Sequence, residues 1–111
     1  MPVIQRTTIV PANDVVENVL AGSAFEFARQ NTFASMGVVQ ESAGVFVTIQ
    51  SGGDVVAEEF QPEIELADFP ARDSQFYYND VAVNGDRLVI RARNSTGADI
   101  VLRTIVELTA V

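Results

Sequence analysis

The chain is predicted to fold as a single all-β domain, an antiparallel β-sandwich of about eight strands with jelly-roll or Greek-key connections. Three observations carry this prediction. Short runs rich in β-branched residues alternate with turn signals at intervals of about ten residues, the spacing of a sandwich or small barrel. No segment shows a convincing helical period. The 111 residues are 48% apolar, enough for one core without covalent staples.

Each element follows from local chemistry. "VIQRTTIV" (3–10) is rich in β-branched residues and stops at Pro11, so residues 1–12 read as an edge strand or an N-terminal arm. "VVENVL" (15–20) reads as a strand, with one helical turn as the alternative because Asn13 or Asp14 could cap it. "AFEF" (24–27) alternates, placing Phe25 and Phe27 opposite Glu26. "FASMGVVQ" (33–40) is a strand in which Gly37 marks a bulge. In "GVFVTIQ" (44–50), Val45, Val47 and Ile49 share one face. "SGGD" (51–54) turns the chain back into "VVAEEF" (55–60), since glycine takes positive φ at no steric cost. "QPEIELADFPARD" (61–73) is the least regular stretch, with Ile64, Leu66 and Phe69 expected to tack it to the core. "SQFYYNDVAV" (74–83) leads into "NGD" (84–86), the strongest hairpin signal. "RLVIRAR" and "IVLRTIVEL" then form a final pair around "NSTGAD".

Composition excludes much chemistry. Net charge is −8, from 15 acids against seven arginines and no lysine, which disfavours nucleic acid as a partner. Cysteine is absent, removing disulfides and thiol catalysis; histidine is absent, removing the usual general base and the commonest metal ligand. The glycines fall in turns and form no phosphate cradle. No catalytic residue, cofactor or metal is therefore assigned, and the chain is not expected to be an enzyme. Glu58, Glu59, Glu63, Glu65, Asp68 and Asp73 form the densest acidic region, but without calcium-loop spacing they read as solvated charge. No apolar run approaches the roughly 20 residues that span a bilayer, so membrane insertion is not expected. Residues 1–14 lack the basic start and apolar core of a signal peptide.

The last 25 residues hold the candidate site. Leu88, Ile90 and Ala92 share one parity, and Arg87, Val89, Arg91 and Arg93 the other. In the following strand Ile100, Leu102, Thr104, Val106 and Leu108 form a largely apolar set opposed to Val101, Arg103, Ile105 and Glu107. If the two strands pair, matching apolar faces and avoiding an Arg91–Arg103 clash places Arg93 opposite Asp99. That arrangement gathers Arg87, Val89, Arg91, Arg93, Val101, Arg103 and Ile105 on one mixed face. In one reading the arginine stems cover the valines while their heads meet water and carboxylates of the same chain. In the other the face is an interface between copies, with guanidinium groups meeting Glu58, Glu59, Glu63 or Glu65. A separate reading takes Tyr77 and Tyr78 as a platform for a sugar or a host surface.

The stretches "VPANDVVENVLAGSAFEF" (Val10 to Phe27) and "GDRLVIRARNSTGADIVLRTIVEL" carry a resemblance covering most of the chain. The pattern resembles small β-sandwich, jelly-roll-like structural proteins of bacteriophage particles. The resemblance implies a capsid, cement or other virion-surface protein, assembled in the host cytoplasm. It also implies a homo-oligomer, of guessed three- or five-fold symmetry, meeting other virion proteins. It carries over no individual residue roles.

Overall fold

The computed structural model describes residues 3–23, 25–28, 30–66, 68–70 and 76–110, with the side chains at 56, 76, 77, 80 and 110 left aside. Eight strands form: β1 (Val3–Val10), β2 (Val15–Val16), β3 (Thr32–Gln40), β4 (Val45–Ser51), β5 (Asp54–Phe60), β6 (Phe76–Ala82), β7 (Leu88–Asn94) and β8 (Ile100–Ala110). They make two four-stranded antiparallel sheets, ordered β1-β8-β3-β6 and β2-β7-β4-β5. The pairs β1·β8, β2·β7, β3·β6 and β4·β5 are nested, as in a long antiparallel ribbon folded back across two layers. This is the winding of a jelly roll. The expected sandwich is therefore present, with the expected number of strands.

Alternation builds the core. Ala34, Met36 and Val38 of β3, Val45, Val47 and Ile49 of β4, Leu88, Ile90 and Ala92 of β7, and Leu102, Val106 and Leu108 of β8 meet between the sheets. Apolar burial of these β-branched and leucine side chains is the main stabilising term. One expected turn and one expected bulge form as read. Gly52 takes φ +62° in the two-residue β4–β5 turn, and the ladder shifts register beside Gly37.

Three expectations are corrected. First, β7 and β8 are not a hairpin: they lie in different sheets, and the turn at Asn84–Gly85 likewise carries the chain from β6 in one sheet to β7 in the other. Only β4–β5 joins neighbours of one sheet. Second, "AFEF" makes only an isolated bridge, Phe27 to Arg87, and the strand begun at Val15 ends at Val16. The intervening loop still buries Val19, Leu20 and Ala28. Third, Ile64 and Leu66 are exposed. Their segment is held by its backbone instead: Gln40 donates its N–H to Glu63 O at 3.0 Å and accepts from Glu65 N–H at 2.9 Å.

The corners where strands leave a sheet are tied by buried amides. Gln40 ends β3 on the core face and is 1% exposed; its Nε2 donates to Pro62 O at 2.7 Å and its Oε1 accepts from Val45 N–H at 3.0 Å. Asn94 ends β7, donating to Val10 O and Ala98 O while accepting from the Thr96 N–H and hydroxyl. Asn18, just after β2, accepts from Leu20 N–H and Ile90 N–H and donates to Leu88 O. Each satisfies backbone groups that the sheet ladders cannot reach, as buried polar groups require.

Two buried hydroxyls, those of Thr32 and Thr104, are not satisfied among the described residues. Thr104 stands among the inward side chains of β8, 1% exposed, and its hydroxyl has no hydrogen-bond partner among the described residues. Thr104→Val keeps the shape and removes the stranded hydroxyl, so it is expected to stabilise the fold by about 1 kcal/mol. The readout is a higher denaturant midpoint at unchanged slope. An unchanged or lowered midpoint would mean that the hydroxyl is satisfied in solution.

Candidate functional site

The parity reading of the arginine region holds within each strand, but the seven residues do not share a face. Arg87, Val89, Arg91 and Arg93 belong to the outer side of the β2-β7-β4-β5 sheet. Val101, Arg103 and Ile105 belong to the outer side of the other sheet, on the far side of the core. Arg93 is opposite Val15 and Phe46, not Asp99. Asp99 instead accepts from the Ala12 N–H at 2.9 Å, pinning the β1–β2 corner.

On the β7 face, every arginine has an acid of the same chain. Arg93 meets Glu59 at 3.2 Å and lies over the Phe46 ring, 4.7 Å from its centroid. Arg91 meets Glu17 at 3.2 Å, and Arg87 meets Glu26 at 2.9 Å. These pairs stand in solvent, so each contributes little to stability. What they do is neutralise the guanidinium groups. Glu26 is the best-held acid: the Gly22 N–H and then the Arg87 guanidinium, each hydrogen-bonded to its carboxylate, hold its pKa below the usual glutamate value.

The other outer face differs. Arg103 binds Glu41 and donates to Leu66 O at 3.3 Å. Around it Val39, Ser35, Ile105 and Glu107 are buried although they point away from the core. Toward one end the cover stops. Phe33 of β3 pairs directly with Val81 of β6; both are exposed, as is Val83 just beyond. At the opposite end Ile9 of β1, 60% exposed, pairs with Val101. Phe33 and Val81 were legible as outward positions from the parity of Ala34 and Met36, but the sequence does not show which parts of a face a loop covers.

Arg6 also has its charge engaged, donating to Val19 O and Ala21 O. All five described arginines thus have partners inside the chain. That arrangement leaves no described guanidinium waiting for phosphate. Tyr78 is 6% exposed and packs in the core opposite Met36, so it offers no ring to a ligand. This corrects the sugar platform for Tyr78; the Tyr77 side chain lies outside the described residues. Among the described residues, no three acids converge on a metal-sized site, and no helix is long and apolar enough to cross a membrane.

Fold and surface together define an antiparallel jelly-roll domain in which the described arginines are internally paired and several apolar side chains are exposed on the outer faces. In comparisons with known proteins, the chain matches no family model, no curated protein and no solved structure.

Proposed function

We propose that this chain is a non-enzymatic structural subunit of a bacteriophage particle, a capsid, cement or decoration component that works by assembling with copies of itself and with other virion proteins. The observation that carries this reading is the exposed Phe33–Val81 pair, continued by Val83, on the outer face of the β1-β8-β3-β6 sheet. Adjacent exposed apolar side chains on a sheet face favour contact with another protein surface. The internal pairing of the arginines adds to this, because it turns recognition away from anions and toward apolar packing. A β-sandwich of this size tiles readily through its faces and edges, and closed rings of three or five copies fit such tiling. Assembly in the host cytoplasm, followed by residence in the virion, completes the reading.

Size-exclusion chromatography with light scattering tests it. Between about 1 µM and about 1 mM, the range of ordinary protein association, the mass is expected to rise to a multiple of the single chain. A strictly monomeric protein across that range overturns the proposal.

A further inference from the structure

The two sheets end in four edge strands, and they are not equally open. β2 has only two residues. β5 breaks register twice, carries Glu59 at φ +48°, and includes Asp54, Glu58 and Glu59. β6 is interrupted by the bulge beside Gly37. Shortness, bulges and charge are the devices that close an edge to further pairing. β1 has none of them. Its eight residues pair with β8 in one unbroken register, with no proline and no acid from Val3 to Val10. Among the described residues, nothing pairs with its second edge. The single charge, Arg6, points inward and is held by the Val19 and Ala21 carbonyls at 3.2 and 3.4 Å, so it does not stand against an incoming strand.

An open row of backbone donors and acceptors is completed by one kind of partner, another extended strand. We propose that β1 pairs antiparallel with β1 of a second copy across a two-fold axis, joining two four-stranded sheets into one of eight. The inference rests on the assembly reading and adds to it one further contact, a two-fold one between copies. The occupant follows from elimination: among the described edges only β1 is long, regular and free of acids, and two copies of it meet without opposing carboxylates in a chain of net charge −8.

Matching faces fixes the register. Opposed residue numbers must sum to an even value, or the outward set of one strand would meet the inward set of the other. A sum of twelve sets Arg6 against Arg6. A sum of fourteen places Thr7 on the axis facing Thr7 of the second copy, Gln5 facing Ile9, Arg6 facing Thr8, and Ile4 facing Val10. Threonine pairs are favourable across antiparallel strands, and no like charges are opposed. The second register is the one proposed.

Because the chain has no cysteine, single introduced thiols report this geometry cleanly. Thr7 is exposed, so Thr7→Cys leaves the core intact. Under mild oxidation Thr7→Cys is expected to form a covalent dimer at least about tenfold faster than Gln5→Cys, through the high effective concentration of its twin on the axis. Gln5 lies about 13 Å along the strand from its own copy in this register. Mixing Gln5→Cys with Ile9→Cys is expected to restore cross-linking. Light scattering on the unaltered protein runs alongside. An oligomer whose Thr7→Cys variant cross-links no faster than Gln5→Cys overturns the edge pairing and leaves the assembly reading standing. A monomer without cross-links overturns both.

Discussion

Replacing Asn18 with alanine is expected to cost roughly 3–4 kcal/mol of folding free energy, because it strands three buried backbone groups at about 1–3 kcal/mol each, partly relieved by water. The groups are Ile90 N–H and Leu20 N–H, which give their hydrogens to Oδ1 at 3.1 and 3.0 Å, and Leu88 C=O, which receives one from Nδ2 at 3.2 Å. Asn18 acts as a prosthetic piece of strand: β2 stops at Val16, and the amide then carries on the pairing with β7. For a domain of this size the loss corresponds to a melting temperature lower by about 15 °C. Asn18→Asp separates the two halves of the amide. It keeps both accepted bonds but sets a carboxylate oxygen against the Leu88 carbonyl, so most of the loss is expected to remain. Thermal and denaturant unfolding of the three proteins measure this. A loss under about 1 kcal/mol for the alanine variant would mean that the corner does not depend on the amide.

Gly44→Ala is the second large effect, with an expected loss of about 2–4 kcal/mol from backbone strain and overpacking combined. Gly44 sits at φ +126°, where L-residues are strained, and an added Cβ would lie 2.2 Å from Thr96 Cγ2 and 3.4 Å from Ile100 Cδ1. The methyl cannot simply rotate aside. Thr96 is anchored through its hydroxyl, which donates to Asn94 Oδ1 at 2.8 Å and contacts Ala98 O at 3.0 Å. Adding Thr96→Ser to Gly44→Ala removes the methyl and keeps the hydroxyl. The double variant is expected to recover part of the loss, the steric part, while the φ strain persists. A double variant no more stable than Gly44→Ala would place the whole cost in the backbone. Such coupling is measured as the difference between the double change and the sum of the singles.

The same corners explain what could be read from the sequence. Strand positions and the direction of each side chain followed from alternation: Leu88, Ile90 and Ala92 inward, Arg87, Arg91 and Arg93 outward. Which strand pairs with which did not follow. A short loop such as 95–99 fits a hairpin within a sheet as well as a step between sheets, and the turn chemistry of Asn84–Gly85 sets local φ without choosing the next strand's layer. So the expected Arg93–Asp99 pairing gave way to Arg93–Glu59, and one imagined mixed face became two separate ones. The corner amides did leave a trace. Asn18 shares parity with Val16 and Leu20, Gln40 with Met36 and Val38, and Asn94 with Ile90 and Ala92. A polar amide closing an apolar set is a mark of a strand that leaves its sheet there. Burial of Val39 and Ile105 on an outer face had no such trace, because it depends on where other parts of the chain pass.

The nested order of the strands also sets a sequence in time. Gly52 and Gly53 let β4 meet β5 after two residues, whereas Val3 of β1 must find Glu107 across nearly the whole chain. Loop closure grows costlier with separation, and contacts between distant residues form late. The ribbon is therefore expected to zip from its middle toward its ends, with β1 last to close. While it waits, β8 offers one edge to whichever β1 arrives, its own or a neighbour's. If copies pair as proposed above, the strand with the open edge would thus also be the one most readily exchanged between them, so the same eight residues would link subunits side by side or by trading places.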